Sequence, residues 1–153
     1  MAHAYASIIV HLFFSTKKRR PFLHAGIRPR LFTTMADIAK SQHAWVYAIG
    51  GVEDHVHLLL SLPRTKTLAT LVEKIKSESS KWVKLTDPTL EEFSWQAGYA
   101  AFSVSESLLK NVTDYVKYQE SVHKSRETQK EYQRFLECNH LVIEEKEEDT
   151  FFD

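Results

Sequence analysis

The chain has 153 residues, with twenty basic and twenty acidic side chains and no net formal charge. That length suits one domain with a single core, and a content of 43% hydrophobic and 26% charged residues excludes a disordered chain. No apolar run approaches the roughly 20 residues that span a bilayer. Residues 1–6 contain no Lys or Arg, so the apolar stretch Ile8 to Phe14 is not expected to be a signal peptide.

In chain order, Tyr5 to Phe14 is rich in β-branched and aromatic residues and reads as a buried strand that ends in the basic loop Thr16 to Pro21. Ile27, Leu31, Met35, Ile38 and Ala39 have helical spacing and predict a helix over 27–42. His43 to Gly50 and Asp54 to Leu62 read as two strands, with Gly50 and Gly51 as the turn signal of an antiparallel hairpin. Leu68, Leu71, Val72, Ile75 and Trp82 predict a second amphipathic helix with lysines on its other side.

A loop opens at Asp87 and Pro88 and runs to Gly98. Tyr99 to Val104 follows as a short strand, and Ser105 or Ser107 is placed to cap a helix reaching about His123. A last helix is expected from about Arg126 to Leu136, then an acidic tail from about 141 to 153. The order β-α-β-β-α-β with C-terminal helices predicts an α+β, ferredoxin-like antiparallel sheet with helices on one face. RNA-recognition modules share that order, so the fold alone does not decide function.

The zero net charge conceals an asymmetry. Up to Thr86 there are thirteen basic residues against five acidic ones, and the run Glu144 to Asp149 supplies much of the compensating charge. A basic half of this kind suits phosphates, although solvated helix faces give the same composition. The single cysteine, Cys138, excludes an intrachain disulfide and fits a reducing cytoplasm.

Two short segments carry chemistry. In Asp54-His55-Val56-His57 the histidines are two residues apart in a strand, so both imidazoles share one face while Val56 faces the other way. They are either a pair of metal ligands or two polar residues on a wet sheet face. Further on, Leu108, Val112, Tyr115, Val116, Gln119 and Val122 share one helical stripe, with Tyr115 and Gln119 as i, i+4 neighbours. A glutamine amid apolar residues needs partners for its amide. By pattern alone Tyr115 reads as a core aromatic with its hydroxyl at the rim rather than as a nucleophile, and Tyr118 falls on the flank of the stripe.

Taken together, these segments resemble the single-tyrosine HUH transposases of small bacterial insertion sequences and their domesticated relatives, the REP-associated tyrosine transposases. The likeness extends over nearly the whole chain, as one domain over 1–153. It covers the opening strand into Phe14 to Pro21, Gly51 to Leu60, Lys74 to Ser80, Trp95 to Ser105, Tyr115 to Gln119, and Glu131 to Glu137 before the acidic stretch.

The resemblance implies that His55, His57 and Gln119 are metal ligands for Mg²⁺ or Mn²⁺, and that Tyr115 is the nucleophile that takes the 5′ end of single-stranded DNA. It also implies a homodimer acting on single-stranded or hairpin DNA. Lys17, Lys18, Arg19 and Arg20, with Lys74, Lys76 and Lys81, are the expected phosphate contacts. The chain departs from the family at His123-Lys124, where relatives often carry two histidines, and this is expected to affect DNA contacts more than chemistry. A non-catalytic nucleic-acid-binding module of the same fold is the main alternative, and a metal-dependent hydrolase using water is a second.

Overall fold

The computed structural model describes residues 3–118. Four strands, β1 (Ile9–Ser15), β2 (Trp45–Gly51), β3 (His55–Ser61) and β4 (Ala100–Val104), form one antiparallel sheet in the order β2-β3-β1-β4. Three helices accompany it: α1 (Arg28–Ser41), α2 (Leu68–Thr86) and α3 (Leu109–Lys117). This is the expected ferredoxin-like α+β arrangement. None of the described helices is long and apolar enough to cross a membrane.

The central pair β1 and β3 is buried on both faces, which is why it reads as nearly continuous apolar sequence rather than as an alternation. On one face Val10, Leu12 and Phe14 join Val56, Leu58 and Leu60. They pack beneath Leu31, Met35 and Ala39 of α1 and Leu71, Ile75 and Val83 of α2. Thr67 starts α2 by accepting the Thr70 N–H at 3.1 Å. The opposite face carries a smaller apolar cluster, in which Ile9, Ala48 and Leu59 receive Val116 of α3.

Three boundaries differ from expectation for physical reasons. The first strand starts at Ile9 rather than Tyr5, because its partner β3 ends at Ser61, directly opposite Ile9. Tyr5 is left exposed. The second strand starts at Trp45, since His43 adopts a left-handed backbone (φ 69°) that turns the chain out of α1.

Gly50 and Gly51 do not form the turn. They are the last residues of β2, and the reversal lies at residues 52–54, closed by Val52 N–H to the His55 carbonyl at 3.1 Å. Glycine is needed at both for close approach: a Cβ would overlap the Val116 carbonyl at Gly50 and the His55 carbonyl at Gly51.

Candidate functional site

His55 and His57 lie on the same face of β3, and Val56 packs into the helical side, as strand alternation requires. Both histidines are fully buried, so they do not stand on a wet sheet face. Their ring centroids are 5.2 Å apart and edge-on, and the Phe13 ring packs against both, at 5.3 Å from His55 and 4.7 Å from His57.

Each imidazole is held from behind through Nδ1. His55 Nδ1 lies 2.7 Å from Asp54 Oδ1. A carboxylate can only accept, so His55 donates through Nδ1, and in the neutral ring the lone pair is then on Nε2. His57 Nδ1 lies 2.8 Å from Nε2 of His11, which belongs to β1. Burial pushes His11 down to about 4, so that ring is neutral at ordinary pH. A carboxylate or other partner behind a histidine is the usual support of a metal ligand, and the chemistry of this donor set fits a divalent cation.

Sequence reasoning assigned roles to neither Asp54 nor His11. Asp54 was visible as the residue before the histidine pair. His11 was visible only as a polar residue inside an apolar strand, and the strand register that brings it to His57 is long-range information.

The tyrosine helix approaches the same face. Val116 is its buried anchor among Ile9, Ala48 and Leu59, with Leu109, Val112 and Tyr115 packed around it. The Tyr115 ring stands edge-on to His57 at 5.7 Å and to His11 at 6.1 Å, whereas Tyr118 is 60% exposed. Leu108 does not join the apolar stripe and is exposed. A 3-10 turn at Glu106–Leu108 precedes α3 and resets the helical phase, so Leu109 packs instead.

Ser105 makes no side-chain cap bond, and its hydroxyl pairs with that of Ser107 at 3.1 Å. Gln119, the expected third ligand, lies outside the described residues, as do His123, Cys138, the expected helix at 126–136 and the acidic tail. Among the described residues no cluster of three His, Cys, Asp or Glu side chains suits a metal.

The basic residues expected to meet phosphates divide into four groups. Lys17, Lys18 and Arg20 are exposed around a cleft of about 320 Å³ next to Phe22 and Ser94. Their loop leaves β1 beside His55, since Ser15 pairs with His55. Lys18 and Arg19 both hold left-handed backbone (φ 56° and 54°), a conformation that costs non-glycine residues about 1–2 kcal/mol each. The loop is fixed by Thr16 Oγ1 donating to the Arg20 carbonyl at 2.7 Å and by Lys18 N–H donating to Gln96 Oε1 at 3.1 Å.

Arg19 is turned inward, with Nε 3.8 Å from Asp54 Oδ2, so it faces the carboxylate that supports His55. Lys74 and Lys81 are exposed on α2, across the sheet from the histidines. Lys76 does not share their face. Its ammonium donates to the carbonyls of Gln96 at 2.6 Å and Gly98 at 2.9 Å, and burial lowers it to about 8.

Comparison with known proteins bears on the family and the fold. Residues 4–119 match the family described as "Transposase IS200 like". The chain is 27% identical over 114 residues to the ISDra2 transposase TnpA of Deinococcus radiodurans, covering 71% of this chain and 81% of that protein. Two solved structures share the fold. One, described as a transposase from Deinococcus radiodurans R1, superposes with a TM-score of 0.64 at 24% identity, over 76% of this chain and 94% of that one. The other, a REP-associated tyrosine transposase bound to a REP hairpin, gives a TM-score of 0.55 at 14% identity, over 76% of this chain and 68% of that one. With the family match spanning sheet, histidine pair and tyrosine helix alike, this chain belongs to the IS200-like transposase family.

Proposed function

We propose that this transposase cuts and rejoins single-stranded DNA through a covalent bond between Tyr115 and the 5′ phosphate, with His55, His57 and Gln119 as ligands of Mg²⁺ or Mn²⁺. The observation that carries the reading is the Tyr115 ring standing 5.7 Å from that of His57, on the face where His55 is held through Nδ1. A phenol ordinarily titrates near about 10 and is a poor nucleophile at neutral pH. When bound, a divalent cation would polarise the scissile phosphate and offset charge on the leaving oxygen.

The residues of the chain do the rest. Tyr115 Oη attacks phosphorus as the bond to the 3′ oxygen breaks. The phenolic proton leaves to solvent, and the departing oxygen takes up a proton to become a 3′-OH. The phosphodiester energy is kept in the phosphotyrosine link, so a second 3′-OH can reverse the step and join strands without ATP. Lys17, Lys18 and Arg20 supply positive charge for the strand beside His55. The relative solved with a REP hairpin supports hairpin-ended DNA as the substrate class. A homodimer belongs to the same reading, and sedimentation of the purified protein tests it.

The experiment is incubation of protein, Mn²⁺ and hairpin-ended single-stranded DNA, followed by a denaturing gel. A covalent adduct is expected from the wild-type chain and none from Tyr115→Phe. An adduct that persists in Tyr115→Phe overturns the choice of nucleophile. Tight binding of a cognate end without an adduct would make the protein a binding module, and cleavage without an adduct would make water the nucleophile.

A further inference from the structure

We propose that His11 is a positioning residue of the histidine pair: it accepts a hydrogen bond from His57 Nδ1–H, keeps the lone pair of that ring on Nε2, and seats the Tyr115 ring beside it. The inference rests on the reading of His55 and His57 as ligands. It starts from an asymmetry between the two supports. Behind His55 stands Asp54, whose carboxylate can only accept, so the tautomer of His55 is settled locally. Behind His57 stands a second imidazole, and an imidazole nitrogen can either donate or accept.

The 2.8 Å contact between His11 Nε2 and His57 Nδ1 therefore has two possible polarities. If His11 donates, the proton of His57 lies on Nε2 and that ring cannot bind a cation there. If His11 accepts, both members of the pair carry a lone pair on Nε2. Only the second polarity produces two matched donors, and it places the proton of His11 on its own Nδ1.

Packing sets His11 apart from an ordinary core residue. It occupies a fully buried strand where an apolar side chain would avoid the desolvation of an imidazole. Its ring lies tilted against His57 with centroids 5.0 Å apart, and Tyr115 meets it edge-on at 6.1 Å. One side chain thus touches both a proposed ligand and the proposed nucleophile.

The test uses the full chain. In ¹⁵N spectra of the unmutated protein, His57 is expected to carry its proton on Nδ1 and His11 to have an unprotonated Nε2. A proton on His57 Nε2 overturns the proposal, whatever the variants do. Manganese binding, followed by electron paramagnetic resonance, is then compared among wild type, His11→Phe and His11→Gln. Phenylalanine keeps the ring and removes the acceptor, while glutamine restores an acceptor near the Nε2 position. Loss of such a support typically weakens metal affinity by roughly 10- to 100-fold, and that loss is expected for His11→Phe, with His11→Gln recovering most of it.

Equal Mn²⁺ affinity in wild type and His11→Phe overturns the role of His11 alone. Failure of the wild type to take up Mn²⁺ overturns the ligand reading itself.

Discussion

Lys74, Lys76 and Lys81 look alike in the sequence, yet they do different work. Positions 74 and 81 are two helical turns apart and share an exposed face, whereas position 76 falls on the side of α2 that meets the loop before β4. There its ammonium bonds two carbonyls and lies 5.4 Å from the centre of the Phe14 ring. Burial lowers it from 10.5 to about 8. Between those values the unfolded chain holds more protons than the folded one, so the stability that Lys76 contributes rises with pH across that window. Below about 8 the amine is charged in both states and the cost of burying it is constant. Denaturant unfolding of wild type and Lys76→Met from pH 7 to 11 checks this. The wild type should gain on the variant between about 8 and 10.5, and a constant difference would show that Lys76 titrates normally. Nothing in the spacing of lysines revealed this role, because the carbonyls it meets are twenty residues or more away in the chain.

At the scale of elements, the order of strands and helices was legible because each has its own period of apolar residues, and the histidine pair was legible because strand alternation is local. The seat of α3 was not. Gly50 and Gly51 read as a turn, since glycine pairs commonly mark one, but Gly50 instead lets the backbone of α3 come down onto β2 at Val116. Gly50 is also the register partner of His57, so the same residue sets how closely the tyrosine helix rides over the strand that carries the histidine pair. In Gly50→Ala the new Cβ meets backbone, which cannot rotate away as a side chain can. The nine-residue α3, anchored by a small cluster, is the element expected to yield. A shift of about 1 Å at a reacting group can cost on the order of 100-fold in rate. We expect adduct formation to fall by that order, with hydrogen-exchange protection lost in α3 and retained in β1 and β3. An unchanged adduct rate would mean that α3 reaches the site without resting on Gly50.

For the molecule as a whole, the sheet separates two sides of unequal character. Among the described residues, one holds the large core under α1 and α2, and the other holds the histidines, Tyr115 and a minor apolar cluster. The overall charge of zero conceals where cations sit relative to that division. Lys17, Lys18 and Arg20 leave the sheet at the His55 end, while Lys74 and Lys81 face solvent beyond α2. The salt bridges at Arg20–Glu92 and Lys74–Glu78 are exposed and are worth little against a phosphate. A short oligonucleotide covering only the scissile phosphate and its neighbours should therefore meet the loop and not α2. Each phosphate contact on a single strand contributes about 0.7 to the slope of log affinity against log salt. Replacing Lys17, Lys18 and Arg20 together by Ala is expected to reduce that slope by up to about 2. Replacing Lys74 and Lys81 should leave it unchanged on the short strand and lower affinity only for longer, hairpin-bearing DNA. If the α2 pair matters as much as the loop on the short strand, the DNA does not run past His55 as this division of charge requires.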